Sequence, residues 1–179
     1  MTVLLLPDKF KGSLTAEEVI LALTKGIDRA DNSTEIHQMI ASDGGDGFLD
    51  AIQHTVEVEV VHCTAVDPLG REIKASYLVN IHRGEAFIEL AKTSGMEILN
   101  EKERNPMITS TLGTGMQIRD AVKRGVRTIY VGLGGSATND GGIGIAHAMG
   151  YKFLDEQQNT LAPIGESLAR IHSIDASDV

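Results

Sequence analysis

The sequence predicts an α/β protein that starts as a Rossmann-like parallel sheet and continues into a second region rich in antiparallel strands. The first part is predicted because an apolar run, a polar or glycine-rich loop and an amphipathic segment follow one another twice in succession. Such strand–loop–helix units build parallel sheets with right-handed crossovers. The second part is predicted because β-rich runs and turn residues alternate at short intervals from Val56 onward. We place the boundary between segments 1–60 and 61–179.

The first strand–loop–helix unit opens the chain. Residues 2–6 are an apolar run that is typical of a short strand. The helix predicted in TAEEVILALTKGIDRA begins at Thr15, an N-cap, and Glu18 follows three residues later to complete a capping box. The second unit repeats this order, with EIHQMIAS as the strand, DGGDG as the loop and GFLDAIQHT as the helix.

Helical character returns after the β-rich region. A helix is predicted in GTGMQIRDAVKRG, with Thr114 as its N-cap and Gly125 as its C-terminal stop. The next run, VRTIYVGL, predicts a buried strand. It is followed by the loop GGSATNDGG, a short helix in IGIAHAMG and a further strand that starts in YKFLD.

Composition and charge exclude several classes of protein. The formal net charge is −9 and no Lys/Arg cluster is present, which argues against nucleic-acid binding. No apolar run approaches the roughly eighteen residues of a membrane span. The single cysteine, Cys63, can form neither an internal disulfide nor a thiolate zinc site, and the N-terminus lacks signal-peptide features. We therefore expect a cytoplasmic protein that binds small molecules, and the oligomeric state stays open, a homo-oligomer included.

The loops after the two predicted N-terminal strands carry residues suited to phosphate. Lys9, Lys11 and Ser13 precede a helix, where backbone N–H groups and the helix dipole favour an anion. In the second loop, Asp43 and Asp46 could hold a magnesium ion or orient a hydroxyl, and the glycines between them let the backbone approach a ligand. Ordinary turn and capping chemistry explains the same residues and remains an alternative.

Two later loops are further candidates. The stretch TSTLGTG places several hydroxyls, including those of Thr111 and Thr114, at a helix start. In GLGGSATNDGG the spacing G-x-G-x-x-A matches a dinucleotide fingerprint, and Asp155 lies at about the distance expected of a ribose ligand. However, residues 138–142 break helices, so we interpret this stretch as an extended polar loop facing a ligand. The sequence contains no Walker A motif, which excludes a P-loop fold.

Taken together, these segments resemble the bacterial glycerate kinase family. The similarity runs in order through PDKFKGSLTAEEV, SDGGDGF, DPLGREIKASY, AFIELAKTSGMEIL, RNPMITSTLGTG and VGLGGSATNDGGIGIAHAMGYKF, and so covers essentially the whole chain. Asp46 stands where the family has glutamate, and Lys92 stands where small residues are common. Family members continue beyond IHSIDASDV, so we expect an amino-terminal portion and leave open whether it is active alone.

The resemblance implies transfer of the ATP γ-phosphoryl group to a hydroxyl of D-glycerate, with ATP and Mg²⁺ as cofactors. We assign catalysis to Asp43, Asp140 and Lys9, and metal binding to Asp43 and Asp46, as hypotheses. The residues predicted to bind substrate or phosphate are Lys11, Ser13, Gly44, Gly45, Arg71, Thr111, Thr114, Gly134, Gly135, Ser136, Thr138 and Asn139. The alternatives are a nicotinamide-dependent oxidoreductase and a ligand-binding module that lacks part of the catalytic machinery.

Overall fold

The computed structural model describes residues 1–10 and 12–179. Lys11, one of the residues predicted to bind phosphate, lies outside the described residues. The strands are β1 (Thr2–Leu5), β2 (Glu35–Gln38), β3 (Glu59–Val66), β4 (Glu72–Asn80), β5 (Glu85–Glu89), β6 (Thr128–Gly132), β7 (Lys152–Leu154) and β8 (Ser173–Asp175). The α-helices are α1 (Ala16–Ala30), α2 (Phe48–Thr55), α3 (Ala91–Ser94), α4 (Leu112–Lys123) and α5 (Ile143–Ala148).

The two N-terminal units form a parallel strand pair, as predicted. β1 pairs with β2 in parallel, and the hydrogen bonding continues past β1, where the Met39 N–H donates to the Leu5 carbonyl at 2.9 Å. The predicted capping box of α1 is confirmed: the Thr15 hydroxyl accepts from the Glu18 N–H at 3.2 Å, and the Glu18 carboxylate accepts from the Thr15 N–H at 2.8 Å. The N-terminal start of the fold therefore follows local sequence rules.

The β-rich region forms a four-stranded sheet in the order β3-β4-β5-β6. The first three strands are antiparallel, which confirms the second predicted region, and β6 joins β5 in parallel. The prediction that β6 is buried is wrong. Within the described residues β6 pairs with β5 alone, so it is an edge strand, and its residues alternate between exposed and half-buried up to Gly132.

Both faces of β4 and β5 are covered. Tyr77 and Ile88 pack with Ala121 of α4 on one face, whereas Leu78 and Leu49 of α2 form a cluster with Phe87 on the other. Successive strand residues point to opposite faces, so a strand covered on both faces is a continuous apolar run. The sheet thus holds α2, and the glycine-rich loop before it, in a fixed position.

The predicted boundaries of α4 are half correct. Gly125 ends the helix in the left-handed conformation, at φ 83°, as predicted. The prediction of Thr114 as N-cap is wrong, since Thr111 occupies that position and Thr114 is fully buried inside the helix.

None of the helices in the described ranges is both long and apolar enough to cross a membrane. The domain boundary near residue 60 stays a prediction.

Candidate functional site

Three loops, together with the start of α1 and the segment after β5, line a cavity of about 800 Å³. The loops are the loop after β1, the loop after β2 and the loop after β6, and all three leave the carboxyl ends of their strands. Ligands bind at such strand ends in open α/β sheets. The predicted site residues that line the cavity are Lys9, Ser13, Asp43, Gly45, Asp46, Gly134 and Gly135.

The glycine-rich loops touch each other through their backbones. The Gly134 N–H donates to the Gly44 carbonyl at 2.9 Å. A Cβ added at Gly134 would lie 2.3 Å from the Gly45 Cα, and one added at Gly132 would lie 2.7 Å from the Gly44 oxygen. Only glycine allows this approach. Residues 43–47 and the start of the 134–142 loop therefore lie together at one cavity.

A partly buried lysine faces the cavity. Lys9 forms an ion pair with Asp46, and Lys92 lies on the other side of the same carboxylate, with 3.7 Å between the Lys92 Nζ and the Asp46 Oδ1. Asp46 is thus shared by two cations. An anionic ligand that reached Lys9 would leave Asp46 with a remaining partner, which lowers the cost of opening the Lys9 ion pair.

Glu89, at the end of β5, connects the start of α2 to Lys92, which also contacts Asp46. Its carboxylate is fully buried and accepts from the Leu49 N–H at 3.1 Å and the Gly47 N–H at 3.4 Å. These N–H groups belong to the start of α2, where the helix dipole stabilises a negative charge. Lys92 is its counter-ion at 3.5 Å. Sequence reasoning missed Glu89, although a carboxylate inside the apolar run AFIEL is a detectable signal because buried charges need partners.

Asp43 differs from Asp46 in being exposed. Its Oδ1 accepts from the Gly45 N–H at 2.9 Å, which fixes the turn, and the carboxylate lies at the cavity wall. Further acidic residues line the same cavity, namely Asp8, Glu17, Glu18, Asp50 and Glu97. Within the described ranges, no three His, Cys, Asp or Glu side chains are grouped so that they could hold a metal ion.

Asp140 does not reach the cavity, contrary to expectation. It is only 1% exposed, and its carboxylate accepts from the Thr111 N–H at 2.7 Å, the Thr111 hydroxyl at 2.9 Å, the Gly142 N–H at 3.0 Å and the Gly144 N–H at 3.3 Å. These donors belong to the starts of α4 and α5. Asp140 thus joins two helix N-termini.

The hydroxyls of TSTLGTG are also directed inward. The Thr111 hydroxyl donates to the Asp140 carboxylate and accepts from the Ile145 N–H. The Thr114 hydroxyl lies 2.9 Å from the hydroxyls of both Thr93 and Ser94. Both threonines are buried, so the structure does not bring them to the cavity. Polar residues that form hydrogen bonds with each other in the interior are of the same types as those of a phosphate site, so the sequence alone does not distinguish the two.

The remaining predicted residues lie outside the cavity lining. Ser136 and Thr138 bond to each other at 2.9 Å, and Asn139 is exposed in the same loop. Arg71 forms ion pairs with Asp67 and Glu103. Hydrogen bonds from the Arg71 guanidinium and, to a smaller extent, from the Asn100 N–H hold the pKa of the Glu103 carboxyl below its usual value. These contacts are made within the chain and need no ligand.

The dinucleotide fingerprint is not formed. β6 ends at Gly132 and the next helix, α5, starts only at Ile143, so the intervening residues are an extended loop, as the helix-breaking composition predicted. The fingerprint requires a helix that starts directly after the strand and points its N-terminus at the pyrophosphate. The candidate ribose ligand, Asp155, accepts from Gln157 and Asn159 of its own turn.

Fold and site together define an α/β protein with a cavity at the carboxyl ends of its strands, lined by glycine-rich loops and charged side chains. The glycerate kinase family model matches residues 3–179. The chain therefore belongs to the glycerate kinase family.

Individual relatives agree with this assignment. Over 179 residues the chain is 35% identical to the glycerate kinase of Haemophilus influenzae, covering 100% of this chain and 47% of the relative. It is 36% identical to the glycerate 2-kinase of Escherichia coli, covering 99% and 46%. The crystal structure of a Salmonella typhimurium LT2 protein of the glycerate kinase 2 type matches with a TM-score of 0.85 and 37% identity, covering 100% of this chain and 48% of that one. The chain thus spans about half the length of these relatives.

Proposed function

We propose that this chain forms the glycerate- and phosphate-binding part of a kinase that transfers the γ-phosphoryl group of ATP to a hydroxyl of D-glycerate. The observation that carries the proposal is the convergence of Lys9, Asp43 and the glycines of two loops on one cavity. Phosphoryl transfer depends mainly on positioning and on charge stabilisation, and these residues are of the types that supply both. Family membership supports the same reaction.

Lys9 is the anion ligand in this proposal. It is partly buried at the cavity and already pairs with a carboxylate, so a phosphate or the carboxylate of glycerate can replace Asp46 as its partner. Lys92 would then keep Asp46 neutralised. The glycines of the two loops let those loops lie against each other at the cavity wall, and so they shape the space that a phosphate or a hydroxyl would enter.

Asp43 is the proposed base. Its carboxylate is oriented by the Gly45 N–H and lies exposed at the cavity, where it can accept the proton of the glycerate hydroxyl as the oxygen attacks the γ-phosphorus. We propose that Asp140 acts by positioning the starts of α4 and α5 and not by contacting the substrate.

Mg²⁺ fits the donors at this cavity. The ion is commonly held by one or two carboxylates together with substrate phosphates, so a three-residue protein cage is not required. Asp46, and Asp43 where it does not serve as the base, are the carboxylates that would hold it. When bound, Mg²⁺ supplies positive charge to the phosphates of ATP. We further propose that the reaction takes place in the cytoplasm and involves small molecules only.

Binding of D-glycerate, measured by calorimetry, tests the role of Lys9. Lys9→Met removes a charge-assisted contact of about 1.5–3 kcal/mol, so we expect affinity to fall about tenfold or more. Lys25→Met is the matched control, because Lys25 is an exposed lysine of α1 that does not line the cavity. Equal affinity in the wild type and Lys9→Met would contradict the assignment.

Turnover separates the kinase from a catalytically incomplete module. ADP release with D-glycerate, ATP and Mg²⁺ is expected to fall by about 10² or more in Asp43→Asn while glycerate affinity changes little, since a general base acts on the chemical step. If the wild-type chain binds D-glycerate but releases no ADP, the module alternative is favoured. Unchanged turnover in Asp43→Asn would exclude Asp43 as the base.

A further inference from the structure

Lys92 is an exposed residue in a stretch of the chain that is otherwise buried. Every other residue from 86 to 95 is buried. The two residues that follow it are anchored in the interior, since the hydroxyls of Thr93 and Ser94 each lie 2.9 Å from the hydroxyl of Thr114. The backbone at Lys92 is therefore fixed, and its side chain extends from a defined position.

The ammonium group of Lys92 bridges two carboxylates. Its Nζ lies 3.5 Å from Glu89 Oε1 and 3.7 Å from Asp46 Oδ1. Glu89 is fully buried, and a buried carboxylate needs a partner of opposite charge, so Glu89 holds the ammonium beside Asp46. Asp46 lines the cavity, whereas Lys92 is not among the lining residues in the described part of the chain. Lys92 therefore influences the cavity through Asp46.

Asp46 is also the ion-pair partner of Lys9, whose side chain is only 22% exposed. A ligand anion that pairs with Lys9 takes this cation away from Asp46. The Asp46 carboxylate then lies near a second negative charge, and like charges repel strongly where water is partly excluded. A second cation on Asp46 reduces this repulsion, and Lys92 is already in place to act as that cation.

We propose that Lys92 is a positioning residue that sets the affinity of the cavity for anionic ligands, because it holds and neutralises Asp46 when a ligand takes Lys9. This inference rests on the proposed function, in which Lys9 binds the carboxylate of D-glycerate or a phosphate. Lys92 itself does not touch the ligand. Since it stands where small residues are common in the family, relatives with a small residue there have no side chain that could act in this way.

A double-mutant cycle separates this role from a direct effect on the ligand. D-glycerate binding is measured by calorimetry with a chelator present, so that no metal ion occupies the carboxylates. A partly exposed ion pair contributes modestly, and we expect Lys92→Ala to lower affinity about threefold. In the Asp46→Asn background the same change should alter affinity by less than about 1.5-fold, because no charge is left at residue 46 to neutralise.

Matched variants control for folding and for net charge. Small residues are common at this position in the family, so Lys92→Ala is expected to fold, and thermal unfolding followed by circular dichroism checks this. Lys92→Met, which keeps the apolar part of the side chain, is the second variant and should give the same cycle. Lys92→Arg retains the charge and should keep affinity within about twofold of the wild type. Lys25→Ala removes an exposed lysine outside the cavity lining and should leave affinity unchanged.

The outcomes distinguish this inference from the proposed function. An equal loss of affinity on Lys92→Ala in both backgrounds would show that Lys92 acts on the ligand directly, and would overturn the inference. Wild-type affinity in folded Lys92→Ala and Lys92→Met would overturn it as well. In both cases a loss of affinity in Lys9→Met leaves the proposed function standing. A wild-type chain that binds neither D-glycerate nor inorganic phosphate would overturn both.

Discussion

Replacing Gly134 with alanine probes the contact on which the cavity depends. The added Cβ would lie 2.3 Å from the Gly45 Cα and 2.9 Å from the Gly45 nitrogen. An ordinary carbon–carbon contact is about 3.5–4 Å, so the two loops must separate by at least about 1 Å. The obstructing atoms are backbone, and no side-chain rotation can relieve the clash.

Two effects of Gly134→Ala follow from this separation. Overpacking of this kind costs about 1–3 kcal/mol of the free energy of unfolding, and the Gly134–Gly44 hydrogen bond is lost in addition. A misplacement of about 1 Å at a ligand site can reduce turnover by about 10²-fold. We therefore expect lower stability and a still larger loss of D-glycerate turnover.

Urea denaturation followed by circular dichroism measures the first effect, and ADP release with D-glycerate, ATP and Mg²⁺ measures the second. Gly26→Ala is the matched control, since a Cβ there has no atom within 4 Å and the residue lies inside α1. This control is expected to stabilise the protein by about 0.8–1 kcal/mol, because alanine favours a helix over glycine. If Gly134→Ala leaves the free energy of unfolding within about 0.5 kcal/mol of the wild type and D-glycerate turnover intact, the loop contact is not what shapes the cavity.

Two further substitutions test groups away from the cavity. Burial, and to a smaller extent the 2.7 Å hydrogen bond to Asp120, raises the pKa of the Tyr77 hydroxyl. The stabilisation that this group gives the folded state is therefore complete below about pH 10 and declines as the pH rises further. Tyr77→Phe should cost about 1 kcal/mol at neutral pH and remove that alkaline decline; a urea series from pH 7 to 11 with an unchanged slope would contradict this. Asp140→Ala leaves four donors without their acceptor and should cost at least about 3 kcal/mol of the free energy of unfolding, whereas a loss below about 1 kcal/mol would show that Asp140 does not hold the two helix starts together.

Features governed by local rules were predictable from the sequence. The capping box of α1 and the glycine stop of α4 depend on residues within one turn, and both are confirmed. The meeting of the two glycine-rich loops does not follow from such rules, because β2 and β6, the strands that precede them, belong to different sheets. Asp43 and Gly134 reach the same cavity through the packing of one sheet against the other, which local patterns do not give.

The hydrogen-bond partners of buried polar side chains were not predictable from the sequence. Thr111, Thr114 and Asp140 have the residue types of a phosphate site, but each satisfies another buried group, and a single sequence does not show which donor meets which acceptor. Glu89 was missed for the converse reason, since it sits within an apolar run whose partners come from a helix far away in the chain. The edge position of β6 was missed because apolar content indicates burial without showing which strands are neighbours.

The backbone contact between Gly44 and Gly134 also sets an order for events during synthesis. The loop after β2, which forms one wall of the cavity, is synthesised first. The loop after β6, which forms the opposite wall and contains Gly134, is synthesised only after six of the strands have been made. A ribosome-bound intermediate that stops before Gly134 therefore has the acidic loop without the glycines that close over it. Substrate bound at this cavity can assist folding only after the nascent chain has passed that residue.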